Sequence, residues 1–455
     1  MMFRRSVTSL FLAAAVFGGC VSDSTPQGGH ADGQKGATRG PKVKPTKEEP
    51  PAVTFSLCAE GLPTTGQWKG DPIFVDINKD GFLDLASLPR LEDGPHVWLG
   101  NGKGQWKDSS TGLGKKHPPS CGGGISFSDV NRDGNLDLIS GDHCLGSSVY
   151  LGDGSGRWEM VAEKIHPKEL VQPNREANAY VGMEDVATAD LNGDGFIDIA
   201  TASSDQAGVN VFLGDGTGRN WVWSSNGLMT KGWANRVLIA DMNGDDVPDI
   251  IASHSDGPRV WLNDGQGNWK DGSKGLPTPV IHGLFTGIAV GDINEDGRMD
   301  IATANWVDGP ESYFQKADGS WERGPDVFPD LRGGSIGLNM GDLDRDGHLD
   351  IVVAGKMEEE SAGFVRGVFA LRGDGRGHFK FVHRSGLPEQ GLSATVGIGL
   401  ADFNQDGTLD IAAGSGLTVE SSPDGPREPT IPQRLLVWCT HLPAREVSLT
   451  SAPTK

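Results

Sequence analysis

The chain has 455 residues, 67 of them glycine, and a formal net charge of −21. It lacks the basic stripe or patch that tracks a phosphate backbone, which excludes nucleic acid as a partner. Its length would admit two or three domains, but an internal repeat fills most of it, as expected of one closed array of units.

At the N-terminus, Arg4 and Arg5 precede an apolar run from Leu10 to Phe17 that ends in Gly18-Gly19-Cys20. A basic start, a short apolar stretch and small residues before a cleavage point predict an export signal over residues 1–20, too short to span a bilayer. The small residues before Cys20 resemble a bacterial lipoprotein lipobox, although Phe17 stands where that motif usually has leucine. This resemblance implies lipidation of Cys20, so that the only link to a membrane is the lipid. Val21 carries no inner-membrane aspartate signal, which points to the outer membrane or cell surface. Residues 21–52 are rich in Gly, Pro, Ser, Thr and Lys. They cannot bury enough surface to offset their ordering entropy and read as a disordered tether.

A ten-residue frame then recurs seven times, roughly every fifty to sixty residues, the mark of a repeat architecture. Oxygen donors stand at positions 1, 3, 5 and 9, and glycine at position 6. The donors are Asp76, Asn78, Asp80 and Asp84; Asp129, Asn131, Asp133 and Asp137; Asp190, Asn192, Asp194 and Asp198. They continue with Asp241, Asn243, Asp245 and Asp249; Asp292, Asn294, Asp296 and Asp300; Asp342, Asp344, Asp346 and Asp350; and Asp402, Asn404, Asp406 and Asp410. Three aspartates per loop, with Asp344 as an extra, account for essentially the whole charge imbalance.

Around each loop the unit reads as four short strands. An apolar run such as Ile288-Ala289-Val290 leads in, and a β-branched run such as Ile351-Val352-Val353 leads out. A hairpin with Asn-Gly or Asp-Gly turn chemistry follows, at 97–106, 149–158, 211–221 and 260–269. Many units close on Gly-Leu, as at Gly112-Leu113 and Gly275-Leu276. Seven such units predict an all-β, seven-bladed propeller with four-stranded blades over residues 53–442, and a C-terminal tail over 443–455. After the last loop only one strand follows, near residues 435–438, while residues 53–57 form an orphan strand before the first loop. The N-terminal strand is therefore expected to complete the last blade and remove its open edge. Trp106, Trp158, Trp221, Trp269 and Trp321 repeat in register and read as blade packing.

The loops, Asp-x-Asn-x-Asp-Gly-x-x-Asp-Ile/Leu, resemble the FG-GAP/VCBS repeats of calcium-bearing seven-bladed propellers, a group that includes integrin α-subunit heads and some fungal lectins. Alternating oxygen donors with a permissive glycine suit a hard divalent cation, and the ligand number suits Ca²⁺ over Mg²⁺. Up to seven Ca²⁺ ions are expected, in a structural role that ties the first two strands of each blade together. An EF-hand is excluded because position 12 carries Ser87, Ser140, Thr201, Ala252, Thr303, Val353 and Ala413, none of them Glu. Asp246 replaces the glycine of the fourth loop, whose site is expected to be weakened rather than lost.

Setting Cys20 aside leaves four cysteines. Cys121 leads into the first strand of a blade and Cys144 follows its second, on the face away from the loops, so a Cys121–Cys144 disulfide is expected. Cys58 and Cys439 flank the expected closure in diagonal register and form the second expected pair. Free buried cysteines are the alternative; zinc is disfavoured because there is no CxxC spacing.

Gly333-Gly334-Ser335-Ile336-Gly337 matches G-x-S-x-G, but it leads into an inner strand rather than a strand-to-helix elbow. The face opposite the loops is the more variable. Tyr180, Trp233, Asn235, Arg236, His282 and Arg332 lead into its strands, and Arg90, His143, Asp205, His254, Trp306 and Lys356 follow them. Aromatic and polar groups on a rigid scaffold suit a glycan or protein ligand. Tyr180, Trp233, Arg236, His282, Trp306, His143 and His254 are the ligand-face candidates. The reading is a monomeric, exported, lipid-anchored binding module. One alternative is a polysaccharide lyase or hydrolase using His143, His254, His282 and Arg236. The other is an architectural envelope protein.

Overall fold

The structure is a computed structural model. It describes residues 53–443 apart from 115–118, 164, 167–180, 204–206, 256, 278–284, 307, 328–332, 360–362, 393–394, 417–420, 423–424 and 427–430. The expected signal, lipidated Cys20, tether and nearly all of the tail lie outside the described residues, as do Tyr180 and His282.

Seven antiparallel sheets of four strands each follow one another along the chain. Blade 1 comprises Gln67–Val75, Asp84–Arg90, His96–Gly100 and Trp106–Asp108. Blades 2 to 6 occupy residues 123–163, 183–223, 234–271, 285–323 and 333–381. Blade 7 takes Thr395–Ala401, Asp410–Ser415 and Leu435–His441, and its fourth strand is Thr54–Leu57 from the other end of the chain. The first strands of successive blades pack against one another, and those of blades 7 and 1 also meet, so the array closes into a ring. Among the described residues no helix is long and apolar enough to cross a membrane.

The apolar residues gather in seven clusters, one at each junction between neighbouring blades. Position 2 of every acidic loop sinks into one of them: Ile77, Val130, Leu191, Met242, Ile293, Leu343 and Phe403 are each at most 2% exposed. A fourth-strand aromatic enters from the other side; Trp106, Trp158, Trp269, Trp321 and Phe379 are all buried. Trp221 departs from the pattern. It is half-buried and, with Val161, Ile165, Arg219 and Val222, lines a groove of about 470 Å³ between blades 2 and 3.

The recurring Gly-Leu pairs also find a reason here. Gly112, at φ +103°, lies so close to the next blade that a Cβ would stand 1.9 Å from the carbonyl oxygen of Trp158. Its neighbour Leu113 is buried in the junction. Only glycine allows this approach, and Gly275 repeats it against Trp321.

Closure rests on the register Thr54↔His441 to Leu57↔Trp438. Cys58 and Cys439 are bonded diagonally across it, with Cα atoms 5.7 Å apart. Cys121 and Cys144, 5.5 Å apart at Cα, form the second disulfide. Replacing Cys58 and Cys439 by serine should lower the unfolding free energy by about 2–4 kcal/mol. Urea unfolding measures it, and an unchanged midpoint would show that strand pairing alone holds the ring shut.

Candidate functional site

Each acidic loop is built by its own side chains. In the first, Asn78 Oδ1 accepts the Asp80 N–H at 3.0 Å and Asp80 Oδ1 accepts the Phe82 N–H at 2.9 Å, two successive Asx turns. The position-1 carboxylate accepts the position-6 N–H at 2.8–3.0 Å in all seven loops. This winding needs left-handed backbone at two positions. Position 6 takes φ of 83–92° at the six glycines and 64° at Asp246, so the fourth loop keeps the shape without the glycine. Nothing lies within 4 Å of a Cβ built on Gly81, Gly134, Gly195, Gly297 or Gly347, so backbone conformation rather than crowding selects glycine there. Position 4 is also left-handed, including the non-glycine residues Lys79, Arg132, Glu295, Arg345 and Gln405 at 56–61°.

The position-9 aspartate is the most constrained group. It is at most 2% exposed in every loop. In six loops one oxygen accepts the N–H of position 2 at 2.8–3.1 Å, as from Ile77 to Asp84. The other accepts an N–H from the end of the blade's next strand at 2.8–2.9 Å, from Gly100, Gly152, Gly214, Asn263, Gln315, Gly373 and Thr440 in turn. Burial pushes these carboxyls up against the opposing pull of the N–H groups, and the neighbouring carboxylates add to it. Asp84, Asp137, Asp198, Asp249 and Asp300 reach about 6, and Asp350 and Asp410 about 7.

These loops offer only hard oxygen donors, and some are left without a partner. Asp76 Oδ1 and Asp410 Oδ2 are buried and accept no hydrogen bond. In the sixth loop, carboxylate oxygens of Asp342, Asp344 and Asp350 come within 4.8 Å of one another. Unsatisfied carboxylate oxygens are the donor set that a hard divalent cation fits, whereas the crowded carboxylates of the sixth loop already have the Arg372 guanidinium beside them.

Sequence reasoning missed what position 4 does. From its left-handed backbone, the side chain reaches over the next loop: Lys79 donates to the Gly134 carbonyl, Glu295 pairs with His348, and Gln405 donates to the Gly81 carbonyl across the ring closure. Arg132 lies 5.0 Å from the centre of the Phe196 ring. Gly193 and Gly244 interrupt this chain of contacts at the third and fourth loops. The long polar residues at position 4 were the available signal.

On the opposite side, the structure separates the ligand-face candidates. His254 is fully buried, with Nε2 2.7 Å from the Lys231 carbonyl oxygen. Arg236 is 3% exposed, and its Nε lies 3.0 Å from Asp71 Oδ2, joining blade 4 to blade 1. Asp71 also accepts the Ile398 N–H of blade 7 at 3.0 Å. Beside this pair, buried Glu184 of blade 3 accepts from Lys69 at 2.5 Å and contacts His143 of blade 2. Arg236 and His254 therefore serve the interior. The G-x-S-x-G serine, Ser335, is likewise buried in the first strand of blade 6, its Oγ accepting the Asn305 N–H at 3.1 Å.

Three candidates, His143, Trp233 and Trp306, are only partly buried. Trp233, half-buried, donates to Asn235 Oδ1 at 3.1 Å and lies 5.5 Å from the His143 ring. Trp306 lies beneath two cations, Lys356 Nζ 5.1 Å and the Arg366 guanidinium 5.5 Å from its ring centre. Lys356 and Arg366 are cross-strand partners in the hairpin of Asp350–Glu359 and Gly363–Gly373, longer than its counterparts in the other blades.

The FG-GAP-like repeat profile matches residues 76–140, 129–201, 190–252 and 241–303, half of the chain in successive overlapping units. The chain belongs to the FG-GAP-like repeat family. No curated protein matches this FG-GAP-like chain in sequence. Among solved structures it is similar in fold to BBS1N, crystallised with ARL6DN, at 9% identity and a TM-score of 0.52, covering 87% of this chain and 99% of that one. An Agrocybe aegerita lectin that recognises non-reducing terminal N-acetylglucosamine aligns at 17% identity and a TM-score of 0.45, over 72% of this chain and 84% of the lectin. The V. cholerae biofilm matrix protein Bap1 aligns at 11% identity and 0.46, over 85% of this chain and 91% of that one.

Two outcomes follow for this FG-GAP-like chain. Gly134→Ala should cost about 1–2 kcal/mol through its positive φ, whereas Asp246→Gly should stabilise by about 0.5–1 kcal/mol. Chemical denaturation checks both, and equal effects would show that φ does not govern position 6. The second concerns pH. Burial pushes Asp185 up to about 7 although Arg236 pulls it down. Burial would also raise Glu184, but Lys69 and His143 hold it at about 2. Asp185 therefore contributes stability below its ordinary value of 3.8 that is lost as pH rises towards 7, while Glu184 contributes stability above 4.5 that is lost as pH falls towards 2. Asp185→Asn should grow more stable relative to the parent from about pH 4 to 7, by up to a few kcal/mol. Parallel urea curves across that range would contradict it.

Proposed function

We propose that the chain is an exported, lipid-anchored propeller whose acidic loops hold calcium and whose opposite face takes a glycan or protein ligand at the cell envelope. The calcium reading is carried by the buried, unsatisfied oxygen of Asp76 in a loop that offers only oxygen donors. Positions 1, 3, 5 and 9 would hold the ion, whose charge would offset the burial and the neighbouring carboxylates that raise the position-9 carboxyls. If every loop bound one divalent ion, the net charge would fall to about −7, ordinary for a soluble surface. Asp246 would weaken the fourth site, because its backbone is held left-handed at φ 64°.

The ligand reading is carried by Trp306 with its two flanking cations. An indole face gives a flat apolar platform for a sugar ring or a peptide side chain, and Lys356 and Arg366 add charge complementarity for acidic groups. Of the side chains that would serve a hydrolase, His282 lies outside the described residues and His143 contacts buried Glu184. Arg236 and His254 are buried with partners of their own, so binding is the reading the geometry supports best.

The full chain, screened on a glycan array and by pull-down from envelope extracts with and without calcium, tests both halves. Chelator should lower the melting temperature by several degrees, and Trp306→Ala should weaken a captured ligand about tenfold or more. An unchanged melt would remove the calcium reading. A ligand retained in full by the variant would move the binding site elsewhere.

A further inference from the structure

The sixth loop differs from the other six in two linked ways. Its position 3 is Asp344, where every other loop has Asn. Its third strand carries Arg372 immediately before Gly373, whose N–H reaches the position-9 carboxylate. The equivalent residues elsewhere are Leu99, Leu151, Leu213, Leu262, Phe314 and Cys439, all uncharged. One extra carboxylate and one extra cation have thus arrived together in the same repeat.

They also touch. Arg372 Nε lies 2.5 Å from Asp344 Oδ2, and Arg372 Nη2 lies 2.6 Å from Asp346 Oδ2. The second contact takes the place of a neutral one. In five other loops the position-3 carboxamide donates to that same position-5 oxygen at 2.9–3.1 Å. In the fifth loop, Arg298 contacts it alone, without a second carboxylate. Charge-assisted hydrogen bonds of a guanidinium across two carboxylates are the stronger kind. The Asp344 side chain is only 4% exposed, so little water competes for it. Among the described residues, this is also the one loop whose carboxylates converge within 4.8 Å. Convergent like charges need a positive partner, and Arg372 supplies it.

We propose that Arg372 is the resident counter-cation of the sixth loop, holding it in shape without a divalent ion and excluding calcium from it. The guanidinium returns the loop to the net charge of its neighbours, so the electrostatic pull on a further cation is no greater there than elsewhere. It also engages oxygens of positions 3 and 5, and any ion entering the loop would meet its positive charge at close range. The exclusion of calcium rests on the calcium reading of the other loops; the metal-free stability of the sixth does not.

The test has two arms, both on the full chain. In the first, chains stripped with chelator and re-equilibrated in calcium are counted for bound ion by atomic emission. The double variant Arg372→Leu, Asp344→Asn restores the pairing seen in most other loops, so it should fold as they do. It should hold one more calcium per chain than the parent, and equal counts would overturn the exclusion. In the second, hydrogen exchange is followed loop by loop in chelator. The amides of residues 343–347 should exchange about tenfold more slowly than those of the other six loops, and Arg372→Leu should abolish the difference. Equal exchange in the parent would overturn the counter-cation role. A parent that binds no calcium, yet protects its sixth loop, would remove the calcium reading and leave Arg372 in place.

Discussion

Every blade depends on one buried aspartate at position 9. In six blades its two oxygens accept an N–H from the start of the acidic loop and another from the end of the third strand, so one side chain fixes the loop to the hairpin behind it; in the seventh, Asp410 makes the bond to the strand and leaves its other oxygen unsatisfied. Losing either bond leaves a buried oxygen unsatisfied, as at Asp410 Oδ2, and that costs stability. The neighbouring residue at position 2 is driven into the junction between blades. Loop shape, strand register and blade-to-blade packing are therefore set by the same short segment. Repeating it seven times makes a ring from pieces that could not bury their own faces singly.

The two faces of the ring follow from this. On the loop side, the Asx turns spend the backbone N–H groups and gather carboxylates, a polar and strongly acidic rim with residues reaching from loop to loop. The contacts from Lys79, Glu295 and Gln405 bind each loop to the next, in addition to the apolar junctions. On the other side the connections are free to vary, and that is where Trp233, Trp306 and the long hairpin of blade 6 lie. Arg236 with Asp71 and Lys69 with Glu184 link blades that are not neighbours in sequence, and Glu184 also pairs with His143 of the adjacent blade. Removing one partner from this network would strand a buried charge.

How much of this could be read from the chain depends on whether a feature repeats. The loops, the four-strand unit and the completion of blade 7 by the N-terminal strand were legible because each recurs or is conspicuously missing at one end. The disulfide partners, too, followed from strand direction. Arg236 and His254 read as surface residues because their sequence neighbours border strands. Their partners, Asp71 and the Lys231 carbonyl, come from distant blades or from backbone, and neither leaves a local pattern. Position 4 was passed over because its residues differ in charge and share only a backbone conformation. The Arg372–Asp344 pair was half visible, since Asp344 stood out at position 3 while its partner lies in another strand.

Anomalous scattering from crystals grown in calcium tests the central claim most directly. The account predicts peaks inside the acidic loops other than the sixth, each within about 2.3–2.6 Å of side-chain oxygens from positions 1, 3, 5 and 9. Loops of this shape holding only water, with no anomalous signal between the carboxylates, would contradict it.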